Sequence, residues 1–76
     1  MLAFKTKNYD TAEKLYIRAL TINPNFALAW DNLAKLYRIQ NKLAKSIPAF
    51  KNLLKLDPNN FEALVSLGTI FTKLAK

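Results

Sequence analysis

Two short segments of this sequence restate each other. Ile22-Asn23-Pro24-Asn25 and Leu56-Asp57-Pro58-Asn59 place Pro58 34 residues after Pro24. A fixed period of this size constrains a fold more than composition does. Each period has to be one supersecondary unit, and it can bury its apolar side only against neighbours of the same kind. The match continues into the flanks. Trp30, Leu33, Ala34 and Tyr37 stand opposite Leu64, Leu67, Gly68 and Phe71, and Ala12, Tyr16 and Ala19 stand opposite Ser46, Phe50 and Leu53.

Between the breaks the apolar residues recur at three- and four-residue steps. Ala29, Trp30, Leu33, Leu36 and Tyr37 make one such stripe, and Leu43, Ile47, Phe50, Leu53 and Leu54 make another. That spacing is the mark of an amphipathic helix. It predicts helices over 9–22, 27–40, 43–56 and 61–75, with residues 1–7 as the last turns of a preceding helix. The breaks have physical causes. The residue before a proline is pushed out of the helical region, and Asn and Asp favour the cap that follows. Asn60 is the expected cap of the last helix, with Glu62 in its first turn, where the helix dipole favours a negative charge. Asp10 and Glu13 have capping-box spacing and are expected at the start of the first helix. Pro48 lacks an N–H for the Ala44 carbonyl, so its helix is expected to start near Ala44 or Lys45, or to kink.

Composition removes several classes of function. The chain has no Cys and no His, which rules out disulfides, thiolate chemistry and histidine-based triads, and leaves no basis for a zinc site. Its only glycine is Gly68, so there is no glycine-rich phosphate loop. No paired carboxylates suggest acid–base catalysis. The sequence therefore predicts no enzyme, no cofactor and no metal. No apolar run reaches the length of a membrane span or a signal core, and the lack of cysteine fits a reducing compartment, so a soluble intracellular protein is expected. The formal net charge is +7, which serves solubility or attracts an acidic partner.

The periodic residues carry a family resemblance. Trp30-x2-Leu33-Ala34-x2-Tyr37, Ser46-x3-Phe50 and Pro58, with Ala12-x3-Tyr16 and Pro24 before and Leu64-x2-Leu67-Gly68-x2-Phe71 after, resemble the tetratricopeptide repeat over nearly the whole chain. Ala34 stands where that pattern usually has Gly, Ser46 where it has Ala, and Leu64 where it has Trp. The resemblance implies an all-α, right-handed solenoid of antiparallel helix pairs: a partial repeat over 1–26, a full repeat over 27–60 and a partial repeat over 61–76. It implies that Ala12, Ala34, Ser46 and Gly68 lie where paired helices approach closely, and that Trp30, Tyr37, Phe50 and Phe71 fill the core beside them.

In function it implies a scaffold for protein–protein interaction, holding a peptide or partner segment in a concave groove lined by the first helix of each repeat. The groove residues would be Leu28, Asp31, Asn32, Lys35 and Arg38 on one helix and Glu62, Val65, Thr69, Thr72 and Lys73 on the next, a surface suited to an acidic and aliphatic peptide. The carboxylate clamp of some family members does not transfer. Only Asn32 matches it, and Glu62 and Ser66 stand where that clamp needs basic residues. Lys14, Arg18, Lys51 and Lys55 could instead form a basic stripe for RNA, though the aromatic side chains needed for stacking are committed to the core. The helix at 61–75 carries more apolar residues than one stripe can bury, and Leu2 and Phe4 belong to an incomplete helix. Self-association through open solenoid ends is therefore expected, as a two-fold homodimer that limits the build-up of charge.

Overall fold

A computed structural model describes residues 6–75, with side-chain surroundings from Asn8 onward. Four helices follow one another: α1 Thr6–Ile22, α2 Ala27–Ile39, α3 Leu43–Leu56 and α4 Phe61–Ala75. There is no strand among the described residues. Each helix packs on the next in sequence, and the α2–α3 pair is the most extensive. This is the all-α helical-repeat arrangement that the 34-residue period implies.

The turns show why the chain folds back where it does. After α1, Asn23 Oδ1 accepts a bond from the Asn25 N–H at 3.1 Å, and the Phe26 N–H bonds back to the Asn23 carbonyl. The asparagine thus supplies the turn while Pro24 fixes the backbone. The same turn recurs 34 residues later, where the Asn60 N–H bonds to the Asp57 carbonyl at 3.1 Å. Asn60 then caps α4 through Oδ1, which accepts from the Ala63 N–H at 3.0 Å, as the sequence predicts. At the corresponding place before α2 stands Phe26, which makes no side-chain cap. The neighbouring break is fastened differently. Trp30 Nε1 donates to the Pro24 carbonyl at 2.8 Å.

Between α2 and α3 the chain reverses in three residues. Asn41 sits in the left-handed region at φ 62, the Lys42 N–H bonds to the Tyr37 carbonyl at 2.8 Å, and the Asn41 N–H bonds to the Arg38 carbonyl at 2.9 Å. This is a Schellman ending with asparagine where glycine is commonest. It satisfies two helix-end carbonyls and brings α3 back along α2.

The core lies between α2 and its neighbours. Leu33, Ala34, Tyr37, Ala49, Phe50, Leu53, Ala63, Leu67 and Ile70 are buried, and Ala34 and Ser46 are wholly shielded from solvent. Burying one such large side chain is worth about 1.5–3 kcal/mol. Ser46 tolerates its position because its hydroxyl donates to the Leu43 carbonyl at 2.7 Å.

Four sequence expectations need correction. α1 begins at Thr6, so Asp10 lies inside it and forms no capping box with Glu13. Thr6 and Lys7 belong to α1 itself, and the rest of the expected N-terminal helical remnant, with Leu2 and Phe4, lies outside the described residues. α3 begins at Leu43, which puts Pro48 in its second turn. Finally, Trp30 is half-buried with its indole N–H at the surface, and Phe71 is 47% exposed, so neither is full core.

Candidate functional site

α2 and α4 are 34-residue images of each other, and each packs on α3. Two polar contacts hold them together. Lys35 Nζ is 3.4 Å from Glu62 Oε1 on α4 and 3.4 Å from Asp31 Oδ2 one turn back on α2. One turn further on, Arg38 Nη1 reaches Ser66 Oγ at 3.4 Å. Ser66 is buried and small, which lets α4 lie close at that point.

The face presented by this pair contains the residues singled out from the sequence. Leu28, Arg38, Glu62, Val65, Thr69, Thr72 and Lys73 are exposed, while Asp31, Asn32 and Lys35 are half-buried. The Thr72 hydroxyl is turned inward, donating to the Gly68 carbonyl at 2.9 Å. Lys35 differs most from expectation. It is expected to face an acidic peptide, but the carboxylates of Asp31 and Glu62 already lie 3.4 Å from its Nζ and offset its charge locally. Among the described residues Arg38 meets the neutral Ser66 hydroxyl and no carboxylate. Leu28 on α2 and Val65 on α4 add exposed apolar surface to this face, although at the 34-residue period Leu28 corresponds to Glu62 and Val65 to Asp31.

One charged contact was not foreseen. Tyr37 Oη donates to Glu13 Oε2 at 2.8 Å, joining α2 to α1. Burial, and then the hydrogen bond to the Glu13 carboxylate and its negative charge, push the Tyr37 phenol up to about 12. Capping-box spacing concealed this role. Only the packing of α1 on α2 reveals it. Lys45 Nζ lies 5.8 Å from the centre of the Tyr37 ring, within cation–π range.

A cleft of about 550 Å3 opens between α1 and α2, lined by Tyr9, Ala12 and Tyr16 on one side and Asn32, Lys35 and Leu36 on the other. The basic residues Lys14, Arg18, Lys51 and Lys55 are exposed on α1 and α3. No group of His, Cys, Asp or Glu that could hold a metal ion is found among the described residues, and no described helix is long and apolar enough to cross a membrane.

Two tetratricopeptide-repeat family models match the sequence, one over residues 1–26 and one over residues 27–60. Among curated relatives, the uncharacterized protein ycf37 of Pyropia yezoensis is 37% identical over 57 residues, covering 75% of this chain and 32% of that protein. The ycf37 protein of Cyanophora paradoxa is 33% identical over 64 residues, covering 84% of this chain and 37% of that one. Protein bimA of Emericella nidulans is 26% identical over 70 residues, covering 92% of this chain and 9% of bimA. The chain thus spans at most 37% of the length of these relatives.

Proposed function

This chain belongs to the tetratricopeptide-repeat family, whose repeats are in general protein-interaction modules and non-enzymatic scaffolds, and from that premise we propose that the face shared by α2 and α4 holds an extended segment of a partner protein. The observation that carries this is the pairing of that face. Lys35–Glu62 and Arg38–Ser66 hold two image helices side by side, and each helix contributes an exposed apolar side chain, Leu28 from α2 and Val65 from α4. A partner segment laid across the two helices would meet one apolar side chain from each, with Arg38 beside them to receive an acidic group. Arg38 is the main polar anchor, and Lys35 serves to align α4 with α2.

The experiment is a binding titration against a library of acidic–aliphatic peptides, repeated with two charge reversals. Arg38→Glu is expected to weaken the best binder at least tenfold and to lower the melting temperature only slightly, through loss of the long contact to Ser66. Lys35→Glu is expected to weaken binding less and to lower stability slightly, because it places a third carboxylate among Asp31 and Glu62. Equal affinity of the wild type and the Arg38→Glu protein for every peptide would remove this face as the binding site.

A further inference from the structure

Trp30 is the only tryptophan of the chain, and it is half-buried although it stands in the apolar stripe of α2. Two small cavities border it. One, of about 290 Å3, lies against α1 and is lined there by Ile17, Leu20 and Thr21. The other, of about 320 Å3, lies against α3 and is lined there by Lys45, Pro48, Ala49 and Asn52. Trp30 and Leu33 line both. The two cavities therefore make one trough, with α1 and α3 as walls and Trp30 and Leu33 as floor. The trough is separate from the α2–α4 face, because Trp30 and Leu33 stand roughly 140–160° round α2 from Lys35.

The period shows that a further repeat would not fill this trough. A helix before α1 would stand to α1 and α2 as α2 stands to α3 and α4. It would meet Ala12, Tyr16 and Asn32, the images of Ser46, Phe50 and Ser66, and these three line the separate cleft on the other flank of α1. A helix after α4 would be the image of α3 and would pack on α4. The trough is bounded by α1, α2 and α3 whatever the length of the array.

Its rim is strongly one-signed. Residues three or four apart share a helix face. By that spacing Lys14 and Arg18 adjoin Ile17 and Thr21 on α1, and Lys51 and Lys55 adjoin Pro48 and Asn52 on α3. Lys45 is itself in the wall, and Lys42 precedes it by one turn. All six are exposed, and none meets a carboxylate among the described residues. The one acidic residue at the same spacing is Glu13, and its carboxylate is already held by the Tyr37 hydroxyl.

We propose that this trough is a second docking surface, on the side of α2 away from the first, and that its occupant is an acidic segment of a partner protein carrying two bulky aliphatic side chains. One of these enters on each side of Trp30, and the flanking carboxylates meet the basic rim. The charge of the rim selects the acid, and the apolar cavities select the aliphatic side chains. A nucleic-acid strand would satisfy the rim through its phosphates but would set polar sugar and base edges against Ile17, Leu20 and Pro48. The Trp30 indole N–H is already given to the Pro24 carbonyl.

Trp30 fluorescence reads occupancy of the trough directly. The probes are synthetic peptides in which two leucines are separated by one, two or three glutamates and flanked by glutamates. The same peptides with alanine for leucine, and oligouridylate, serve as references. At least one leucine peptide is expected to shift the emission saturably. The double variant Arg18→Glu/Lys55→Glu is expected to weaken its binding about tenfold, through repulsion at the rim. Ile17→Gln, which removes apolar wall at constant charge, is expected to weaken it by a similar factor. Arg38→Glu, on the other face of α2, is expected to leave it unchanged. All four positions are exposed, and circular dichroism checks each fold. The absence of a saturable shift with every leucine peptide, or equal affinity for the alanine peptides, would overturn the proposal. Loss of binding in Arg38→Glu but not in Arg18→Glu/Lys55→Glu would also overturn it, by moving the peptide to the α2–α4 face. Oligouridylate that binds wild type and Ile17→Gln equally, with no leucine peptide binding, would make the trough a nucleic-acid surface instead.

Discussion

Residues 30–37 and 64–71 carry one pattern at one helical phase, and the molecule treats them in opposite ways. On α2 the pattern meets α3, and Leu33, Ala34 and Tyr37 vanish from solvent. On α4 the same pattern leaves Leu64, Gly68 and Phe71 open, while Ser66, Leu67 and Ile70 are buried. The difference lies in the neighbour and not in the pattern. In a repeat protein an apolar stripe states what a helix can bury, and the next unit decides whether it does so. Mutations at image positions should therefore have unequal effects, and the inequality measures how far the two regions differ.

The largest contrast should come from the aromatic side chains. Phe50 is 1% exposed at the centre of the α2–α3 core, and Phe50→Ala should cost about 3–5 kcal/mol through lost burial and a cavity. In a domain of this size that is most of the margin, so loss of the cooperative melt is expected. Phe71→Ala removes a half-exposed ring and should cost about 1 kcal/mol at most. Chemical denaturation of the two proteins at low concentration makes the comparison. Equal losses would mean that α4 is covered as α2 is.

A smaller effect separates Tyr37 from its image. Phe71 has no hydroxyl, whereas the Tyr37 hydroxyl bonds to Glu13. Tyr37→Phe should cost about 1.5–3 kcal/mol, the range for a hydrogen bond to a charged acceptor. The contribution is also pH-dependent, with a definite sign. The fold raises the phenol pKa to about 12 from an unfolded value near 10, so folding favours the protonated form. The stabilisation is complete below pH 10 and is lost as pH rises through 12. Urea midpoints of wild type and Tyr37→Phe should converge over that window. A constant gap between them would show that Tyr37 does not titrate in contact with Glu13.

Much of this fold is legible in the sequence, for reasons that can be traced to residues. Pro24 and Pro58 with their asparagines fix two breaks, and the bounds of α3 and α4 follow from the stripes between them. Asn60 is legible as a cap because it acts on its own helix. Misreadings arise where a residue has two possible partners. Asp10 and Glu13 have capping-box spacing, but α1 extends past them and Glu13 turns to Tyr37, 24 residues away. Lys35 is basic and on the expected face, yet Asp31 and Glu62 take up its charge. Pro48 sits deeper in α3 than steric economy suggests, and nothing in the structure explains why. In the candidate site the proposed face comes from the family resemblance. The different contacts of Arg38 and Lys35 were not legible in it, because they depend on where α4 lies beside α2.

The opposition between the two regions is tested most directly at the pair of small residues. Ala34→Leu and Gly68→Leu put the same side chain at image positions, and their melts can be compared at a protein concentration low enough to exclude contacts between copies. Ala34→Leu should destabilise the fold by about 1–3 kcal/mol, because a fully buried site has no room for the added carbons. Gly68→Leu should leave stability unchanged or raise it by up to about 1 kcal/mol, since leucine is the better helix former and the new side chain meets open space. A Gly68→Leu protein that loses as much stability as Ala34→Leu would contradict the account, because it would show α4 already packed on the side that the structure leaves open.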